Sequence, residues 1–116
     1  GVCAFCCPNR DLTVKAANAV MGGNLDLKSA THIGLRIVNL LRVFNFRHGL
    51  DPKNEKPSFR YSETPKDGPN KGRVIQPHFD FMVRIYRELM GWEPDTGRPL
   101  PQTLKSVGLE ELIEKF

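Results

Sequence analysis

The stretch Ala30-Thr31-His32-Ile33-Gly34-Leu35-Arg36-Ile37-Val38-Asn39-Leu40-Leu41-Arg42-Val43-Phe44-Asn45-Phe46 decides the fold class. Ala30, Ile33, Ile37, Leu40, Leu41 and Phe44 recur three and four places apart, the spacing that gathers side chains on one face of a helix. Val38 and Val43 widen the stripe, so this helix is expected to be buried on more than one side. Gly34 in mid-helix costs about 1 kcal/mol relative to alanine. That cost makes sense if another backbone packs closely there. Asp26 has the chemistry of an N-cap. Arg42, Arg47 and His48 collect toward the far end, where positive charge suits the helix dipole, and Gly49 can close the helix.

Upstream, Leu12, Ala16, Ala19 and Val20 repeat at helical spacing between Pro8-Asn9 and Gly22-Gly23, which predicts a first helix over about residues 10–21. Downstream, the character changes from Leu50 to about Gly72. Pro52, Pro57, Pro65 and Pro69 alternate with charged and small polar residues, and Phe59 and Tyr61 are the only large apolar anchors. This reads as a long irregular loop, of the kind that is functional or lies on a partner, with a flexible linker as the alternative. Pro77 suits the first turn of a third helix carrying Phe79, Met82, Val83, Tyr86 and Leu89, which Gly91 ends. Glu93 to Pro99 is turn chemistry. Pro101 to Val107 forms a short helix, and Leu109, Leu112, Ile113 and Phe116 make a final helical stretch. The expectation is an all-α, irregular helical domain with three main helices, two short ones and a long Pro-rich loop. Its parts are a helical pair over 1–49, the loop over 50–73 and C-terminal helices over 74–116.

The 116 residues suffice for one domain, with 40% apolar and 26% charged residues, which excludes a collagen-like or disulfide-dense chain. No apolar run approaches the roughly 18 residues that a membrane span needs, so no membrane partner is expected. The net charge of +4 is spread from Arg10 to Lys115 among acids. It permits a nucleic-acid partner without arguing for one, and none is expected.

All three cysteines fall in Gly1-Val2-Cys3-Ala4-Phe5-Cys6-Cys7. Their odd number argues against a secreted disulfide framework and for a reducing, cytoplasmic compartment. Cys3 and Cys6 form a C-x-x-C, which is half of a zinc site, and no second Cys/His pair follows. Three thiols alone are one short of an iron–sulfur ligand set. Cys6 and Cys7 can equally be small buried residues at the head of a helix. A start at Gly1 rather than Met, with the thiols crowded at that end, fits a piece of something larger. There is no phosphate-binding glycine loop, no H-E-x-x-H and no G-x-S-x-G elbow. Glu88, Glu110, Glu111 and Glu114 are expected to face solvent, and His32, His48 and His78 read as helix residues rather than ligands. On the residues alone the chain is a helical domain, with a stand-alone binding module for nucleic acid or protein, and a small thiol-based metal or redox module, as the alternatives.

Six short motifs, in order along the chain, carry a resemblance. They are Gly1-Val2-Cys3, Gly34-Leu35-Arg36-Ile37-Val38-Asn39-Leu40, Phe44-Asn45-Phe46-Arg47-His48-Gly49, Gly68-Pro69-Asn70-Lys71-Gly72, Gly91-Trp92 with Gly97 and Pro99, and Leu104-Lys105-Ser106-Val107-Gly108-Leu109. Together they resemble the C-terminal part of the tungsten-containing aldehyde ferredoxin oxidoreductase family. Gly1-Val2-Cys3 matches the end of that family's D-x-x-G-L-C motif with Val2 for Leu, while Leu35 and Val38 stand where the family has Glu and Trp. The resemblance implies an enzyme that oxidises a small aldehyde to its carboxylate and delivers electrons through a [4Fe–4S] cluster to ferredoxin. Its metal is tungsten, or molybdenum in some relatives, held by two pterins. By the same resemblance, Cys3 is the fourth cluster ligand, and Gly1, Val2 and Cys3 approach a pterin. The other cluster ligands lie in the remainder of a parent chain. No residue is implied as catalytic, and the fragment alone is expected to be inactive.

Overall fold

A computed structural model of the chain describes residues 9–115. Helix α1 spans Arg10–Met21 and begins where the Asn9 side chain accepts the Leu12 amide at 3.0 Å. Gly22, at φ +66°, closes it in the left-handed conformation that a side chain would resist. Helix α2 follows over Leu27–Arg47, capped by Asp26, whose carboxylate accepts the Ser29 amide at 2.7 Å. The connection is fastened by Asn18, whose amide both donates to the Leu25 carbonyl and accepts the Leu25 N–H. Both helices therefore start and stop at the residues the sequence marks.

Their faces are used otherwise than expected. The α1 stripe of Leu12, Ala16, Ala19 and Val20 is exposed, and Val14, Ala17 and Asn18 are the half-buried side. In α2 the buried residues are Asn39, Arg42 and Val43, three and four places apart on the side away from the apolar stripe. Ile33, Ile37, Leu40, Leu41 and Phe44 all lie outward, with Leu41 at 55% exposure. Among the described residues α2 is thus buried on one side only, and no atom outside its own helical backbone lies within 4 Å of where a Gly34 Cβ would stand.

The Pro-rich loop is irregular, as expected, but it contains a 3₁₀ turn over Pro52–Asn54 and a single helical turn, α3, over Phe59–Ser62. Gly68 and Gly72, both at positive φ, close a turn in which the Gly72 amide donates to the Pro65 carbonyl at 3.0 Å. Helix α4 spans Gln76–Leu89 with Pro77 in its first turn, and α5 spans Pro101–Ser106. Between them the chain doubles back. Trp92 pairs with Pro99 in an isolated bridge, the Leu100 amide donates to the Gly91 carbonyl at 3.1 Å, and the Thr103 hydroxyl donates to that same carbonyl.

The expected final helix shrinks to a 3₁₀ turn over Glu110–Leu112. Gly108 at φ +67° breaks the direction of α5, and Leu109 at φ −124° leaves the helical range before the turn begins. Phe116 lies outside the described residues. Leu104, Val107, Leu109 and Val43 form the apolar core, with Leu112 and Ile113 packed against it. Among the described residues there is no strand. The radius of gyration is 17.7 Å, against about 13 Å for a compact chain of this length. The accessible surface is 9200 Å², against roughly 6,400 Å² for a monomer of this mass.

Candidate functional site

The residues expected to meet cofactors, Gly1, Val2 and Cys3, lie outside the described residues, as do Cys6 and Cys7. Among the described residues, no group of three or more His, Cys, Asp and Glu side chains is placed to hold a metal ion. His48 turns its Nδ1 to the Phe44 carbonyl at 2.8 Å and stacks on the Phe44 ring, while His32 and His78 are exposed on α2 and α4. Glu110, Glu111 and Glu114 are exposed, and Glu88 is an exposed partner of Arg84 at 3.3 Å.

The most highly organised polar site is where α2, the Pro-rich loop, α4 and the Trp92–Pro99 turn meet. Arg42 is nearly buried, and its guanidinium forks onto both oxygens of Glu55. Its Nε donates to the Gly97 carbonyl at 2.9 Å. The same guanidinium lies 4.7 Å from the Trp92 ring centroid and 4.9 Å from that of Phe46, within cation–π range. Arg87 of α4 reaches Glu55 at 2.7 Å and the Pro94 and Asp95 carbonyls at 2.9 and 2.7 Å. The Trp92 indole donates to Asn39 at 2.8 Å, and Asn39 donates to the Leu35 carbonyl one turn back. On the same inner side of α2, three residues before Asn39, Arg36 holds the Val107 and Gly108 carbonyls at the end of α5.

Glu55 is therefore a carboxylate gripped by two arginines. The Arg42 hydrogen bonds hold it below the usual carboxylate range, against the opposing effect of partial burial, and Arg87 adds to the lowering. Glu93 is lowered as well, by the Thr96 hydroxyl and then the Thr96 amide, with the Asp95 amide contributing. No buried side-chain nitrogen or oxygen among the described residues lacks a hydrogen-bond partner. A groove of about 590 Å³ runs beside Glu55 and Arg87, lined by Lys53, Lys56, Phe79 and Arg84, but it holds no nucleophile–base pair. The chemistry of this site is that of a joint: it locks four segments in register.

The sequence groups Arg42 with the dipole-favoured cations Arg47 and His48; its position inside the apolar run Leu40-Leu41-Arg42-Val43-Phe44 was the signal that it is buried instead. Glu55 and Arg87 carried no comparable signal, because each is surrounded by ordinary polar neighbours. At Gly97, φ is +68°, and a Cβ would collide with the Arg42 guanidinium and lie 2.8 Å from Arg87 Nε. Gly97→Ala is expected to destabilise the chain by about 1–3 kcal/mol, from backbone strain and displacement of the forks. A thermal melt followed by circular dichroism checks this, and an unchanged midpoint would show that the turn has slack.

These features define an all-helical domain, with a polar joint at its centre and apolar helix faces that no described residue covers. The chain belongs to the aldehyde ferredoxin oxidoreductase family: residues 1–109 match the family model described as "Aldehyde ferredoxin oxidoreductase, domains 2 & 3". It is similar to the tungsten-containing aldehyde ferredoxin oxidoreductases of Pyrococcus abyssi and Pyrococcus horikoshii, 40% identical over 98 residues in each case, covering 83% of this chain and 16% of the relative. The corresponding protein of Thermococcus kodakarensis is 37% identical over 98 residues. The chain thus spans about a sixth of the length of these relatives. No solved structure matches the chain. Arg36, Asn39, Gly91, Trp92, Gly97 and Gly108, which lie in the motifs that carry the resemblance, are among the residues that join the elements here.

Proposed function

We propose that this chain is a C-terminal helical domain of a tungsten-dependent, or in the alternative molybdenum-dependent, enzyme that oxidises aldehydes to carboxylates with ferredoxin as electron acceptor. The observation behind it is the family match over residues 1–109, which includes the cysteine-bearing N-terminal motif. The cofactors proposed for the parent protein are two pterins holding the metal and one [4Fe–4S] cluster. The chemistry they supply when bound is a two-electron oxidation in which water provides the second carboxylate oxygen. Cys3 would ligate the cluster, and the backbone of Gly1, Val2 and Cys3 would lie against a pterin. A thiolate that held the cluster close to the pterin would shorten the path for electrons, and hydrogen bonds around its sulfur would tune the cluster potential.

The described part of the chain would then serve by position alone. A domain can contribute by holding a ligand-bearing segment still. The Arg42–Glu55–Arg87 joint and the caps of α1 and α2 would hold the described helices in register for that purpose. The proposed setting is the cytoplasm, where the Cys6 and Cys7 thiols stay reduced.

The parent polypeptide, purified without oxygen, should contain tungsten and iron and reduce a dye when given an aldehyde. Cys3→Ser should lose cluster absorbance and nearly all dye reduction. The 116-residue chain alone should have neither. Turnover by the isolated chain, or a parent that binds no metal, would overturn the proposal.

A further inference from the structure

Among the described residues, no other element covers the outward face of α2. Its 21 residues make a rod of about 31 Å. The inner side is fully engaged through Asn39, Arg42 and Val43. The outer side presents Ile33, Ile37, Leu40, Leu41 and Phe44, each between 44% and 55% exposed. These form one continuous ridge at helical spacing, uninterrupted by a charge, because Arg36 is turned to the Val107 and Gly108 carbonyls and Arg42 points inward. At Gly34 a Cβ would meet nothing within 4 Å, so the helix offers a flat place beside the ridge.

An exposed apolar ridge of this length marks an interface. Three possible occupants differ in what they require. A bilayer is excluded for α2 as a span, because no helix among the described residues is long and apolar enough to cross a membrane. A second copy of the chain would cover one patch, about 800 Å² per partner in a standard complex. The chain's accessible surface exceeds the expected value for its mass by far more than that. The relatives, moreover, are about six times as long as the matched stretch, so most of their polypeptide lies outside it. We infer that the Ile33–Phe44 face of α2 is an interdomain interface, covered by the part of the parent polypeptide that lies outside this chain. The inference rests on the proposed function for the existence of that parent. It makes α2 a central helix: polar joint on one side, apolar seam on the other.

The test uses the full-length parent, as wild type, as Ile37→Glu/Leu41→Glu, and as Lys105→Glu, a control at an exposed polar position. Two uncompensated carboxylates in a closed seam are not tolerated. The double variant should lose soluble, cooperatively melting protein or melt at least about 10 °C lower, while the control stays within about 2 °C. A separate single variant, Leu41→Cys, keeps the seam apolar. Its thiol should react with a maleimide at least about 100-fold more slowly in the native parent than in urea, as read by peptide mass spectrometry. A double variant that melts like wild type, or rapid labelling of Leu41→Cys, overturns the inference. So does sedimentation showing that the double variant turns a wild-type dimer into an equally stable monomer, for then a second copy covers the face. A wild-type parent that lacks tungsten, while its double variant still collapses, leaves the interface standing and the functional reading refuted.

Discussion

Arg42→Ala is expected to cost the fold about 3–5 kcal/mol, the usual penalty for removing one partner of a buried ion pair and leaving the rest uncompensated. The magnitude follows from how many groups lose their partner at once. Glu55 loses the two-pronged half of its grip, and the Gly97 carbonyl loses its donor. The faces of Trp92 and Phe46 lose the cation lying between them. Arg42→Lys should recover less than half of the loss. An ammonium can meet one Glu55 oxygen, but it cannot fork onto two while also reaching Gly97, and it stacks poorly on rings. The urea midpoint read by Trp92 fluorescence is a direct measurement, since the chain has one tryptophan and it touches the substituted side chain. A loss under about 1 kcal/mol for alanine would mean that the joint is ornamental and that Val43, Leu104, Val107 and Leu109 hold the fold unaided.

The limits of these elements were legible in the sequence for local reasons. Asp26 before α2, Gly22 after α1, Pro77 and Pro101 in first turns and Gly91 after α4 each act through a neighbour within about four residues, so a linear reading captures them. The use of the faces was not legible. A stripe such as Ile33, Ile37, Leu41 and Phe44 says that something covers it, not that this chain does. The polar joint was hidden for the complementary reason. Its members are 13 and 32 residues apart for Arg42–Glu55 and Arg87–Glu55, and Glu55 stands in a loop whose composition reads as solvated. The N-terminal motif is the reverse case: its chemistry is visible only through the family resemblance, because three thiols in seven residues are compatible with several uses.

Glu55→Ala should be as damaging as loss of Arg42, again about 3–5 kcal/mol, although Glu55 sits in a loop and is only partly buried. The reason is that it is shared. Arg42 and Arg87 are both nearly buried, and one carboxylate is the anion between them. Removing it leaves two guanidinium groups facing each other across the joint, where repulsion is added to desolvation. It also releases the Pro-rich loop, whose most direct tie to α2 and α4 is this side chain. Glu55→Gln separates the two effects: an amide oxygen still accepts one fork, so the loop stays closer while the charge is gone, and the loss should be smaller than for alanine. Acid gives the same test without mutation. Because the folded-state pKa of Glu55 is lowered by Arg42 and Arg87, its contribution is fully present above the ordinary carboxylate range and is lost as pH falls through that range toward the depressed value. The wild-type urea midpoint should therefore be level near neutrality and drop in acid. Glu55→Gln should show a shallower acid limb, with the remaining slope set in part by Asp26 and Glu93, whose pKa values are lowered by their own hydrogen bonds. Identical acid limbs for wild type and Glu55→Gln would show that the two arginines do not depend on this carboxylate for their burial.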